Sequence, residues 1–536
     1  MTIDRRSLLG MIGAGAALPV EAATPPPPPA LAFGHGVASG DPTPRGAVLW
    51  TRVTPADLGH ATPIPVRWRV FDGDRLVAQG RARARPSRDW TVKVEPTTLR
   101  PGPEYRYWFE AGGKRSPEGR FRTLPTGATA DAVLAVASCA LHAGGFFNAY
   151  RAIANLPRVD AVLHLGDYIY EYGPEGYGGD IGKRLGRIPD PPHEIVTLSD
   201  YRRRLAQYRA DPDLQAAHAR AAFIVVWDDH ETANDSWIGG AENHQPAAEG
   251  DWRARKAAAM QAWFEWMPIR DPGPGRRSEA INRAFQFGDL ATLAMIETRL
   301  LARTEPASYS GRNDPAAFAA ALRVRADASR ELLGVAQQRW LEGVLARSVR
   351  AGAPWQLLGN QVVMARVEGA PGDPAKAAAI YRSRVVAAQA AYAAGVPFNL
   401  DSWDGYPAAR ERLYAAFRRA GSKPIVLAGD SHAFWANQLA DDGGRRVAVE
   451  FGATAITSPS IGDIMPDVPV GERLAERNPE VLFSDQRAKG YILLTLTPAN
   501  ARAEFRAVTT IMKRDASERT VAAFEVAAGG TELKRV

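Results

Sequence analysis

Residues 161–170 read AVLHLGDYIY, an unbroken apolar run that stops at Gly166-Asp167 and is followed by Tyr168 and Tyr170. A short, β-branched apolar run ended by a turn residue marks a strand buried on both faces, as in a parallel sheet. Three more runs share the design. AVLAVASC ends at Cys139, FIVVWDDH at Asp228, Asp229 and His230, and PIVLAGDSH at Asp430 and His432. In open α/β sheets, ligands bind in the crevice beyond the carboxyl ends of the strands. Ligand-type side chains at the ends of several buried runs therefore point to one shared site.

Outward from these runs, buried strand patterns alternate with helical ones from Ala132 onward. Helices are predicted over 144–156, 198–208, 252–266, 330–349 and 375–395, with a C-terminal helix over 516–528. The helix at 144–156 links the Cys139 run to the Asp167 run as a βαβ unit of about 30 residues. The fold class is α/β, with a catalytic domain over 130–536. The long polar loops 173–198 and 236–250 directly follow motif ends, where loops of such length often form lids or site walls. Residues 33–125 differ. AVLWTRV, IPVRWRVF, DWTVKVE and YRYWFEA alternate at period two between Gly/Pro/Asp turns, which predicts an N-terminal β-sandwich domain.

The chain starts with Arg5-Arg6 ahead of a Gly/Ala/Leu-rich stretch and the small residues Ala22, Ala23 and Thr24. Residues 1–24 resemble a twin-arginine export signal, and 25–32 read as a Pro-rich extended spacer. The expected partner is the twin-arginine export machinery, and the expected location is periplasmic or secreted. The apolar stretch is too short and too glycine-rich for a stable membrane span. A formal net charge of +7 over 536 residues, without a Lys/Arg block, gives no sign of nucleic-acid-specific binding. The single cysteine excludes an intrachain disulfide framework and a multi-cysteine zinc knuckle. A monomer is expected.

Gly166-Asp167 at a strand end projects a carboxylate that can bridge two cations. Tyr170, three residues on, would share its face on a helical turn, and a phenolate suits a hard ferric-type ion. The alternative is an aromatic wall of Tyr168, Tyr170 and Tyr172. Cys139 could be an inert buried thiol, but in an exported protein coordination would protect it from oxidation. Asp228, Asp229, His230 and Glu231, extended by Asn234 and Asp235, are too dense for helix-dipole pairing alone. One aspartate is expected on metal, with His230 on substrate or orienting a ligand. Asp430 and His432 alternate and would point the same way from an extended strand end.

The ordered series of Cys139, Gly166-Asp167-Tyr168-Ile169-Tyr170, Asp228-Asp229-His230-Glu231 and Gly429-Asp430-Ser431-His432 resembles the PhoD-like alkaline phosphatase family of calcineurin-like metallophosphoesterases. Residues 33–42, 265–268, 297–299, 358–361 and 487–491 also look familial. The resemblance implies a fibronectin-like sandwich followed by a two-sheet αββα catalytic domain. It implies Fe³⁺ held by Cys139, Asp167, Tyr170 and His432. One or two Ca²⁺ ions would lie nearby, with Asp167 bridging and Asp229 and Asp430 on the calcium side. Asp228 and Asn234 are further candidates for ligand or substrate contact. Purple acid phosphatases, also similar, have Gly-Asn-His-Glu where this chain has Asp228-Asp229-His230-Glu231. A carboxylate in place of that amide suits Ca²⁺.

The activity this implies is phosphate monoester hydrolysis by attack of metal-bound hydroxide, with His230, Asn234 and Arg299 as catalytic candidates. Arg299 could grip phosphate oxygens with its planar fork, or simply pair with Glu297. Phosphodiester or phospholipase D-like cleavage is the alternative within the family. An exported binding protein with a catalytically silent α/β domain is the alternative of another class.

Overall fold

The computed structural model describes residues 31–57, 59–309, 313–370, 372–377 and 381–536. The expected export signal, and most of the spacer after it, lie outside the described residues. No helix among the described residues is long and apolar enough to cross a membrane.

A ten-stranded and a seven-stranded sheet organise a mixed α/β fold. Ala132–Ala137, Ala161–His164 and Ala222–Val225 run parallel at the centre of the first. Ala291–Met295, Trp355–Gly359, Ile425–Ala428 and Arg446–Gly452 run parallel in the second. Alternation explains the unbroken apolar runs. Leu357, Ile425 and Leu427 enter a core shared with the first sheet. Leu358, Val426 and Ala428 enter a core shared with the helices Gly334–Arg350 and Pro407–Ala420. Full burial of each such side chain contributes about 1.5–3 kcal/mol. Across the shared core Phe434 of the second sheet stacks on Phe505 of the first, with centroids 4.8 Å apart.

The helices predicted at 198–208 and 252–266 are Leu198–Arg209, closed by a Thr197/Asp200 capping box, and Trp252–Trp266, capped by Asp251. Two expectations change. Residues 33–125 are not a closed sandwich of their own. Val37–Thr43 pairs parallel with Ala222–Val225, and Gly46–Arg52 and Thr91–Val94 lie beyond it, so three N-terminal strands extend the ten-stranded sheet. Leu31–Ala32 pairs with Thr54–Pro55, and Ile64–Asp72, Arg75–Ala84, Glu104–Ala111, Lys114–Arg115 and Gly119–Arg122 form a separate five-stranded sheet. Leu49, Val66, Tyr107 and Phe109 pack between the two, together with Ala222. Pairing between strands so far apart in sequence leaves no local pattern to read.

The second change is at the C-terminus. Glu518–Ala527 is a strand, antiparallel to Asn500–Val508, rather than a helix. Phe524 and Val526 are buried and Glu525 lies between them. An isolated helix of that length is marginal, and the open edge of Asn500–Val508 supplies a complete ladder instead.

Candidate active site

The four strand ends converge. Ligand atoms of Cys139, Asp167 and His432 lie within 4.8 Å of one another. The same holds for Asp167, Asp229 and His230, for Asp228, Asp229 and Asp430, and for Asp229, Asp235 and Asp401. Asp229 belongs to three of these groups, whereas Asp228 belongs to one.

Backbone geometry makes the convergence possible. Cys139, Asp167, Asp430 and His432 have φ of 59°, 55°, 61° and 56°. That left-handed conformation costs a non-glycine residue about 1–2 kcal/mol and concentrates at functional sites. It turns the chain sharply at three of the four strand ends. Asp430 and His432 therefore do not alternate along an extended strand, and each enters a different ligand group. Residues 168–172 form no helical turn either. Gly166, with φ of 106°, lets this turn pass the next one, since a Cβ there would lie 2.4 Å from Asp228 Cβ. Glu231 ties the two turns together. Its carboxylate accepts the backbone N–H groups of Asp167 (3.1 Å), Tyr168 (2.6 Å) and Asp228 (2.7 Å).

Tyr170 joins the Cys139 group. Its hydroxyl donates to Asp167 Oδ2 at 2.9 Å, accepts from Ser458 Oγ at 2.7 Å and sits 3.2 Å from His432 Nε2. Tyr168 instead faces His218 at 2.8 Å. His35 is half-buried against Trp266, and His164 is buried against Tyr150.

Arg299 lies among the acids. It is fully buried, and its guanidinium donates to Asp228, to Asp401 Oδ2 at 2.7 Å and to Asp430 Oδ1 at 3.3 Å, with Asp229 Oδ1 at 3.5 Å. A fork surrounded by four carboxylates positions them, and it is not among the residues that line the cavity above. It does not pair with Glu297 either. That carboxylate accepts the backbone N–H groups of Arg299, Leu300 and Leu301.

A cavity of about 540 Å³ opens over the cluster. Asp167, Asp229, His230, Asp235, Asp430 and His432 form its acidic and imidazole floor. Tyr177 of the 173–198 loop and Trp237 of the 236–250 loop stand in its walls, joined by Tyr309 and Phe398. Asn234 lines the same cavity and donates from Nδ2 to Glu242 at 3.1 Å. Two participants escaped the sequence reading. Glu171 accepts from Asn234 N and Asn243 Nδ2 and contacts His230, yet no turn or strand end marks it. Asp401 lies in a loop between helices, remote in sequence from every motif. Asp235, noted only as part of an acidic run, joins Asp229 through its N–H at 2.6 Å.

Electrostatics separate the two adjacent aspartates. Burial raises Asp228 to about 6 against the pull of Arg299. Burial also raises Asp229, but Arg299, His230 and the Asp235 N–H outweigh it and hold that carboxyl well below its usual range. Burial, then Asp167, push the Cys139 thiol up. Burial, then Lys489, lower His432 to about 3, so its imidazole is neutral.

The donor set fits cations. Asp167 Oδ1, Asp228 Oδ2 and Asp229 Oδ1 are buried without a hydrogen-bond partner. A carboxylate oxygen removed from water needs a donor or a cation. Sulfur, phenol and the His432 imidazole meet Asp167 in one group, and carboxylates alone make up the groups of Asp228, Asp229 and Asp430 and of Asp229, Asp235 and Asp401. That contrast suits two unlike ions.

The sequence profile of the PhoD-like phosphatase family matches residues 134–505, and that of its N-terminal domain matches residues 20–125. The chain belongs to the PhoD-like phosphatase family and is by class a phosphoesterase. Alkaline phosphatase D of Bacillus subtilis (strain 168) is 35% identical over 522 residues, which cover 94% of this chain and 82% of that protein. A solved structure of PhoD superposes with a TM-score of 0.76 at 33% identity, covering 94% of this chain and 92% of that one.

Proposed function

We propose that this chain is an exported, metal-dependent phosphomonoesterase of the alkaline phosphatase type. Cys139, Asp167, Tyr170 and His432 would hold Fe³⁺. Asp229 and Asp430 would serve one or two Ca²⁺ ions, with Asp167 between the metals and Asp228 at the margin. When bound, these cations would supply Lewis-acid activation of water and neutralise phosphate charge. The observation that carries the reading is the trio of buried carboxylate oxygens on Asp167, Asp228 and Asp229 that accept no hydrogen bond, beside a thiol and a phenol.

The protein's own part rests on its contacts. Arg299 joins the carboxylates of Asp228, Asp401 and Asp430 and, with His230 and against the effect of burial, keeps the Asp229 carboxyl charged. His230, fixed by Glu171, can deliver a proton to the leaving oxygen. Trp237, Tyr309 and Phe398 shield one side of the cavity from water. Export through the twin-arginine route is supported by Arg5-Arg6 and the stretch after it.

The test combines elemental analysis of the protein purified from its own export route with parallel assays on a monoester, a diester and a phospholipid. Iron and calcium with preferred monoester cleavage support the proposal. Absence of both metals, with no hydrolysis after they are added, would leave the silent binding protein standing. Diester cleavage is favoured by one observation. The apolar wall of Trp237, Tyr309 and Phe398 could seat a second ester group, and far faster diester turnover would establish that reading instead.

A further inference from the structure

The five-stranded N-terminal sheet carries a groove that belongs to no part of the cavity described above. It is lined by Arg67, Arg81, Arg83, Lys114 and Arg115, with Glu110 its one carboxylate. Arg67 and Arg81 are directly opposed across adjacent antiparallel strands, and Arg83 opposes Pro65 next to them. Like charges in register destabilise a sheet, and Glu110, opposite Arg67 on its other neighbouring strand, is the one acid in this row. The other arginines of this sheet are paired. Arg106 reaches Asp74 and Glu118, Arg120 reaches Glu104, and Arg69 takes up Glu110 at 3.5 Å. In the groove Arg115 alone has an ion pair, to Glu118 at 3.4 Å, and it also lies 3.6 Å over the Trp108 ring. Arg67, Arg81, Arg83 and Lys114 have no ion-pair partner among the described residues, and all four are exposed.

The catalytic cavity has the opposite character. Seven carboxylate residues line it, and no lysine or arginine does. Attraction for an anionic substrate at long range is absent from the cavity's own lining side chains. A row of unpaired guanidinium forks, two residues apart along one strand and matched across to the next, suits repeating phosphate oxygens.

We propose that this groove binds a linear polyanion of repeating phosphate groups and retains the enzyme on phosphate-bearing polymer. The inference goes beyond the proposed catalytic function, because it concerns equilibrium binding at a separate sheet.

The test uses the full chain with linear polyphosphate as probe, titrated at graded salt. The triple variant Arg67→Ala/Arg81→Ala/Arg83→Ala should bind at least tenfold more weakly at low salt. Its plot of log K against log salt should flatten by about 2, since each lost phosphate contact contributes about 0.7 for a single strand. The corresponding triple lysine variant should recover most of the binding. Hydrolysis of a small monoester should be unchanged, and a saturating monoester should not displace the polymer. These results hold or fail whether or not the metal assignment is right. An unchanged salt slope in the triple alanine variant overturns the proposal. So does tighter binding to anionic phospholipid vesicles than to polyphosphate, which would make the face a membrane contact. A shift in oligomeric state on alanine substitution would overturn it too, making the face an interface between copies.

Discussion

Glu171 holds His230 by its Nδ1, with Oε2 2.7 Å away, while the imidazole stacks on Tyr170 at 4.1 Å between centroids. The anchor fixes the ring and reserves Nε2 for the cavity. Burial lowers the proton affinity of His230, but Glu171, Asp229 and Asp167 outweigh it and hold the imidazole well above its usual value. A buried, oriented imidazolium is equipped to protonate a leaving group.

For His230→Gln we expect kcat on alkyl phosphates to fall about 10²–10⁴-fold, the range of a lost general acid. With p-nitrophenyl phosphate, whose leaving group needs no proton, the loss should be much smaller. Glu171→Gln should show the same pattern more weakly. Equal losses on both substrates would remove the acid role from His230.

Arg299→Gln removes the one cation shared by Asp228, Asp229, Asp401 and Asp430. Breaking a buried charge pair costs about 3–5 kcal/mol. The metal-stripped variant should therefore unfold at clearly lower urea than the stripped parent, and added Ca²⁺ should restore part of the difference. If Ca²⁺ restores none of it, the four carboxylates do not form a cation site.

Cys139→Ala should reduce iron content and activity, with the five-stranded N-terminal sheet still folded by circular dichroism. Unchanged iron would make the thiol structural. Tyr170→Phe should abolish a phenolate-to-metal charge-transfer band in the visible spectrum. A band that persists would exclude Tyr170 as a ligand.

Acid sensitivity is expected from histidines that belong to none of the ligand groups. Burial lowers His164 to about 3, and burial with Arg52 and Arg209 lowers His35 to about 3. Burial, then Arg209, also depress His218. These imidazoles are neutral when folded but bind protons near pH 6.5 when unfolded. The unfolded state takes up more protons below that pH, so stability is full above pH 6.5 and is lost as pH falls toward 3. Each group removes up to about 1.4 kcal/mol per pH unit. Urea midpoints measured from pH 7 to pH 5 should fall steadily, and His164→Gln should flatten that slope. A parallel slope in the variant would move the effect elsewhere.

Much of the site was legible because strand ends have a local signature. An apolar run that breaks at Gly166-Asp167 or Gly429-Asp430 announces both a buried strand and a turn that delivers polar side chains to its end. The same locality hid the rest. Glu171 and Asp401 act through contacts with residues 59 and 102 positions away, and nothing near them in sequence marks those partners. The C-terminal strand reads as a helix in its own sequence window because its partner edge, Asn500–Val508, lies outside that window.

For this protein the local chemistry of the chain determined the α/β class, the four ligand-bearing turns and the residue types available to a metal. Burial, turn residues and side-chain donors are properties of short segments. Tertiary structure decided how those residues divide the work. It made Asp229 rather than Asp228 the shared carboxylate, since Arg299 lies against Asp228 Oδ1. It set the Arg299 guanidinium against four acids at once. It also joined the N-terminal strands to the catalytic sheet. Each of these depends on distances between groups remote in sequence, which only the folded chain sets.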